Sequence, residues 1–255
     1  MITAGVDCGS KNVRVVILKD GEVVGKALVP AGMDTSAVAE EAYDKALAEA
    51  GLGRDDVQRV VATGAGKPEA AFRDGDITEV GADARGAHHL FSDVRTVIDV
   101  GAEEGRAIKV TASGKVADFA INEKCAAGAG AFTEAMARAL EVPLEELGAL
   151  SLQSTQAIPI NAQCAVFAES EVVGLVHRKT STPDMARAIH DAIADRITSM
   201  VRRVGIEEKI ALIGGVARNI GFVKSLQEDL QTTVLIPEEP EFVGALGAAL
   251  VATDE

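Results

Sequence analysis

The stretch Thr96-Val97-Ile98-Asp99-Val100-Gly101-Ala102-Glu103-Glu104-Gly105 opens as an apolar run and breaks into a polar turn bounded by glycine. Its β-branched residues favour a strand, and Asp99 stands near where that strand ends. Arg106–Thr111 and Lys115–Ile121 then read as the arms of a hairpin turning at Ser113-Gly114. The same order occurs once before. Thr3–Asp7 is a short apolar strand that stops at Asp7-Cys8-Gly9-Ser10-Lys11-Asn12, and Val13–Leu18 and Glu22–Val29 form a hairpin around Lys19-Asp20-Gly21. Strand, Asp-x-Gly turn and hairpin are thus duplicated, which organises the whole chain.

A carboxylate beside a tight glycine turn suits a Mg²⁺-bound phosphate. Backbone N–H groups reach the phosphate oxygens, and the acid holds the metal through water. Asp7 with Gly9 and Asp99 with Gly101 are two such places, and Gly214-Gly215-Val216-Ala217-Arg218-Asn219 is a third glycine turn, entered from the strand Lys209–Ile213. The plainer alternative is an aspartate that only caps a turn; the duplication and the third turn favour nucleotide binding. Gly64-Ala65-Gly66-Lys67 is not a P-loop, because Val61 stands where the first glycine belongs and Pro68 replaces the Ser/Thr. Gly64-x-Gly66 and Gly128-x-Gly130 fail as Rossmann fingerprints, with Glu69 and Thr133 in the last position.

Two cysteines share a context. Cys125 follows the alternating segment Val116–Ile121 and precedes a small-residue turn and a helical run through Phe132, Met136 and Leu140. Cys164 follows Ile158–Gln163 and precedes a run through Phe167, Val172 and Leu175. A thiol at a helix opening is biased toward thiolate, open to use as a nucleophile, a redox thiol or a metal ligand. The alternative is a pair of small buried residues. Their spacing matches no zinc or ferredoxin pattern, although a 4Fe–4S cluster forms if a partner subunit supplies two more thiolates. Cys8 reads as a buried filler, the four histidines as surface or packing residues, and Glu169 and Glu171 as a solvated helix face.

Other segments complete an α/β pattern. Ala39–Ala50 is an amphipathic helix ended by Gly51, and Ile77–Val80 leads into a helix through Phe91. Thr182-Pro183-Asp184 starts a long helix with the stripe Met185, Ile189, Ile193, Ile197, Val201 and Val204. A helix to Leu230, a short strand Val234–Ile236 and a Gly/Ala-rich helix Phe242–Val251 close the chain. The net charge of −14 over 255 residues argues against nucleic acid or an anionic membrane as partner. No apolar run approaches the ~20 residues of a membrane span, the N-terminus lacks a signal-peptide pattern, and three cysteines make no disulfide framework. A soluble cytoplasmic protein is expected.

The duplicated hairpins and the Gly214-Gly215 turn resemble the actin-like and sugar-kinase-like ATPases, in which two ribonuclease H-like subdomains close a nucleotide cleft; here these are expected as residues 1–92 and 93–255. Within that superfamily, the segments 122–130, 161–171 and 214–219 resemble the 2-hydroxyacyl-CoA dehydratase activators and benzoyl-CoA reductase ATPase subunits, the BadF/BadG/BcrA/BcrD ATPases. The resemblance spans essentially the whole chain. It implies ATP/ADP and Mg²⁺ at Asp7, Gly9, Ser10, Lys11, Asp99, Gly101, Gly214, Gly215 and Asn219, with Lys67 as a further cation for phosphate. It also implies a 4Fe–4S cluster bound by Cys125 and Cys164 and shared with a homologous ATPase subunit, ferredoxin as electron donor, and an acyl-CoA reductase catalytic subunit as acceptor. The activators usually read Asp-x-Gly-Gly-Gln-Asp at the second turn. Here Glu103 takes the place of the water-orienting Gln, more similar to the D-type subunit of benzoyl-CoA reductase. The expectation is therefore an ATPase subunit feeding low-potential electrons to benzoyl-CoA reductase. The alternatives are a homodimeric dehydratase activator, a small-molecule kinase and a non-hydrolysing scaffold.

Overall fold

The computed structural model describes residues 1–122, 129–161 and 165–254, so Cys125 and Cys164 lie outside the described residues. In chain order these residues form β1 (Ile2–Cys8), β2 (Asn12–Lys19), β3 (Glu22–Pro30), α1 (Thr35–Ala50), β4 (Arg59–Thr63), β5 (Gly75–Asp76), α2 (Glu79–Leu90), β6 (Thr96–Val100), β7 (Gly105–Val110) and β8 (Val116–Asn122). Then come α3 (Ala129–Ala139), α4 (Leu144–Ser151), α5 (Ala165–His177), α6 (Thr182–Val204), β9 (Ile210–Ile213), α7 (Ile220–Leu230) and α8 (Val243–Val251). By contacts the chain divides into one unit of Met1–Arg95, Val110–Ala117 and Glu241–Glu255 and another of Thr96–Lys109 and Asp118–Pro240. After Glu241 the chain thus rejoins the first unit instead of staying with the residues before it. No helix among the described residues is long and apolar enough to cross a membrane.

The first unit is built on a sheet in the order β3-β2-β1-β4-β5, with β1 antiparallel to β2 and parallel to β4. The β2–β3 turn places Asp20 and Gly21 at positive φ, 54° and 89°, the turn geometry whose twist suits a hairpin. Strand alternation gives the sheet two buried faces. Ala4, Val6 and Cys8 pack with Val13, Val15 and Ile17 against Tyr43 and Leu47 of α1. On the other face Val16 and Leu18 meet Ala245, Leu246 and Ala249 of α8. Helix α1 begins where the Asp34 carboxylate accepts the Ala37 N–H (3.0 Å) and ends at Gly51, φ 66°, as a left-handed C-cap requires. Helix α8 approaches backbone to backbone. A Cβ on Gly5 would lie 2.0 Å from the Ala245 carbonyl oxygen, and one on Gly247 1.8 Å from that of Ala82. These small residues explain why the last helix seats against β1 and α2.

The second unit repeats the plan with the order β8-β7-β6-β9. β6 is buried along its length, antiparallel to β7 and parallel to β9. One core joins Ile98 and Leu212 of the sheet to Phe132 and Met136 of α3, Ala168 and Val172 of α5, Ile189 and Ile193 of α6 and Phe222 of α7. Ser181 caps α6 by accepting the Asp184 N–H (3.3 Å), and Asp184 in turn accepts the N–H groups of Thr155 (2.8 Å) and Gln156 (3.0 Å). The expected strand Val234–Ile236 is reduced to one parallel bridge, Leu235 to Ala211; Pro237 follows at once and has no N–H to extend the ladder. Helix α4 has no counterpart in the sequence pattern. It is a short helix begun by Pro143 without a side-chain cap.

Candidate nucleotide-binding turns

Each unit carries the same construction at the end of its central strand. In the first, Asp7 of β1 lies opposite Arg14 of β2 and beside Thr63 of β4. Arg14 Nη1 donates to Asp7 Oδ2 at 3.1 Å. The turn between them closes with the Gly9 N–H on the Asn12 carbonyl (3.2 Å). In the second, Asp99 of β6 lies opposite Arg106 of β7 and beside Ile213 of β9. Arg106 Nη1 donates to Asp99 Oδ2, and its Nη2 donates to Glu104 Oε2 at 2.6 Å. That turn closes with the Gly101 N–H on the Glu104 carbonyl (2.9 Å). Both pairs are largely shielded from water. Sequence reasoning misses the arginines, because they sit in the pattern as ordinary strand residues. A signal was present: Asp7 to Arg14 and Asp99 to Arg106 have the same spacing.

The parallel strand beside each aspartate ends in a glycine that nothing else replaces. Gly64 has φ +88°, and its Cβ would lie 2.5 Å from the Cys8 carbonyl oxygen and 2.8 Å from Asp7 Oδ1. Gly214 has φ +85°, and its Cβ would lie 2.3 Å from Asp99 Oδ1 and 2.5 Å from the Val100 carbonyl oxygen. So Gly64-Ala65-Gly66, which is not a P-loop, is the first unit's counterpart of Gly214-Gly215. Among the described residues a Cβ on Gly215 would meet nothing, leaving its backbone open to approach by a ligand.

The other predicted residues fall as follows. Ser10, Lys11 and Glu103 are exposed on their turns. Lys67 is engaged locally, donating to the Ile77 carbonyl (3.3 Å) beside Asp76. Cys8 is fully buried, and burial pushes its thiol up to about 12, so it is no nucleophile. Asn219 has structural work: its Oδ1 accepts the Gly221 and Phe222 N–H groups at 3.0 and 3.2 Å, capping α7. That leaves its Nδ2 to donate to His190 Nε2 at 2.9 Å. Among the described residues no three His, Cys, Asp or Glu side chains gather as a metal site.

His190 is fully buried, and burial lowers its pKa from 6.5 to about 4. The unfolded chain therefore takes up a proton near 6.5 that the folded chain refuses until about 4. Stability should fall as pH drops through that window and level off below it. Urea midpoints measured across the window should decline, and His190→Gln should flatten the decline; an equal slope in both proteins would contradict this assignment.

The repeated Asp-x-Gly turns, the two glycine stops and the sheet order place the chain among known proteins. A profile of the BadF/BadG/BcrA/BcrD ATPase family matches residues 4–252. The chain belongs to this family. A 2-hydroxyisocaproyl-CoA dehydratase activator of Clostridioides difficile is 38% identical, covering 100% of this chain and 96% of the activator. The D-type subunit of benzoyl-CoA reductase from Thauera aromatica is 36% identical, covering 98% and 92%. A solved structure of the Clostridium difficile activator with bound ADPNP superposes with a TM-score of 0.94 at 36% identity, covering 100% and 95%. A ROK family glucokinase from Streptomyces griseus, at 15% identity and a TM-score of 0.61 over all of both chains, shares the fold alone. The fold is that of the actin-like and sugar-kinase-like ATPases, as expected. Of the two expected roles, the dehydratase activators are the more similar, at 38% and 39% identity against 36% for the benzoyl-CoA reductase subunit.

Proposed function

We propose that this chain is an activating ATPase of a 2-hydroxyacyl-CoA dehydratase, coupling ATP turnover to electron delivery through a 4Fe–4S cluster shared by two copies. The observation that carries this reading is a direct tether. The Gly130 N–H donates to the Gly101 carbonyl (3.1 Å), and the Ala131 N–H donates to that of Ala102 (2.9 Å). Helix α3, which follows the Cys125 segment, thus begins on the second Asp-x-Gly turn. The fit is close, since a Cβ on Gly130 would lie 2.9 Å from Ala102 Cα. A change in that turn on loss of phosphate is carried to the first turn of α3. Helix α5, which follows Cys164, shares its core with α3.

The residues suit these roles. Asp7 in the first unit and Asp99 in the second would each suit a water-clad Mg²⁺, and the turns at Gly9, at Gly101 and at Gly214-Gly215 would each suit phosphate. Ser10 and Lys11 add a hydroxyl and a cation at the first turn. Exposed Glu103 orients or deprotonates the attacking water. Glu103→Ala should lower ATP turnover by about 100-fold or more, the lower end of general-base effects, with iron content unchanged; an unaltered rate removes Glu103 from the mechanism.

Cys125 and Cys164 supply two of the four thiolates of a 4Fe–4S cluster, so a second copy is needed to complete it. When bound, the cluster supplies one-electron chemistry at low potential. Val166, Phe167, Val173 and Val176 on α5 and Phe119 on β8 are exposed apolar residues on the elements flanking the two cysteine segments, which suits burial against a partner. Ferredoxin is the proposed donor, the dehydratase component the acceptor, and the cytoplasm the compartment. Anaerobic purification tests the reading: it predicts a dimer of this chain alone holding one cluster, whereas a monomer that gains iron only with a different ATPase subunit would restore the benzoyl-CoA reductase reading.

A further inference from the structure

The nucleotide reading assigns no role to Asp83, a residue of α2 that is only 5% exposed. Its carboxylate borders the same point as that of Asp7. A Cβ on Gly244, in the first turn of α8, would lie 3.2 Å from Asp83 Oδ1 and 3.6 Å from Asp7 Oδ2, so the two acids converge on one point. Asp7 and Thr63 are register partners on neighbouring parallel strands, which puts their side chains on the same face of the sheet. That face meets α8, as Gly5 and Val61 show. Thr63 is 1% exposed, and its hydroxyl has no hydrogen-bond partner among the described residues. A buried hydroxyl left without a partner is costly, and it marks a place where a water or ion belongs.

Charge points the same way. Two carboxylates facing one buried point suit a shared cation. Arg14 supplies one positive charge on Asp7, and α8 begins without a side-chain cap, turning the positive end of its dipole toward the acids. A cation shared by both acids would add to these. Mg²⁺ is the fitting one, because it binds through one or two carboxylates while keeping several waters, and Thr63 can hydrogen-bond such a water.

We infer that Asp83 joins Asp7 in holding the water-clad Mg²⁺ that accompanies the nucleotide, with Thr63 orienting one of its waters. This rests on the nucleotide reading of the Asp7 turn and extends it to α2.

Mn²⁺, as a spectroscopic stand-in for Mg²⁺, gives the test: its binding to the full-length protein with ADP is followed by electron paramagnetic resonance. Asp83→Asn should weaken Mn²⁺ binding by about tenfold or more, the range seen when a supporting group of a metal site is lost, while ADP affinity without metal stays as in the wild type. Thr63→Val should shift it in the same direction by less. Should Asp83→Asn not fold, Gly244→Ala decides, because its methyl enters the space between the carboxylates and should weaken Mn²⁺ binding as well. Unchanged Mn²⁺ affinity in the folded variant overturns this inference alone. Failure of the wild type to bind ADP with or without Mn²⁺ overturns the nucleotide reading and this inference together.

Discussion

Gly214→Ala should abolish ATP turnover and destabilise the second unit by about 3 kcal/mol. Two costs add. The methyl would sit 2.3 Å from Asp99 Oδ1 and 2.5 Å from the Val100 carbonyl oxygen, and overpacking of this kind costs about 1–3 kcal/mol. A side chain at φ +85° adds about 1–2 kcal/mol more. The displaced group is the Asp99 carboxylate, which Arg106 also holds, so the strain falls on the Asp-x-Gly turn itself. Gly215→Ala is the contrast. Its methyl meets nothing among the described residues, so stability should stay within about 0.5 kcal/mol of the wild type, while the methyl intrudes where a ligand would approach. Urea unfolding and nucleotide titration of both variants separate the effects. Equal destabilisation by the two would refute the crowding argument, and undiminished nucleotide binding by both would remove this turn from the site.

Cys125→Ala and Cys164→Ala should each remove all of the iron rather than half of it. A cluster completed by four thiolates from two copies loses one ligand from each copy in either variant, and two remaining thiolates are too few to hold it. The core that seats α3 and α5 rests on Phe132, Met136, Ala168 and Val172, so both variants should fold and retain ATP binding. Iron and sulfide assays with visible absorbance settle the point. Iron retained at the wild-type level in either variant would refute the ligand assignment.

Much of the fold was legible because its signals are local. The Asp-x-Gly turns, the Asp20-Gly21 hairpin, the Gly51 stop and the Thr182-Pro183-Asp184 helix start each declare themselves within a few residues. What escaped depends on contacts distant in sequence. The docking of α8 rests on Gly5, Gly86 and Gly247 meeting backbone, and a missing side chain leaves no periodic trace. Helix α4 offered only two turns after a proline. At the candidate site, the acids and glycines were visible as types, but their partners were not. Arg14 and Arg106 share one spacing from their aspartates, but that spacing gains its meaning once β1 and β6 are paired with their hairpin strands. Asn219, expected as a nucleotide contact, also caps α7 and holds His190, because the polar end of a glycine turn is also where a helix begins.

The central claim is that the second phosphate turn and the cysteine-bearing segment move as one, through the two hydrogen bonds from α3. The most direct measurement is the reduction potential of the iron–sulfur centre in the anaerobically purified protein, titrated once with ADP and once with a non-hydrolysable ATP analogue. Two distinct potentials are predicted, since a cluster's potential follows its solvent exposure and hydrogen bonding. The same potential with both nucleotides, or a protein with no such centre to titrate, would contradict it.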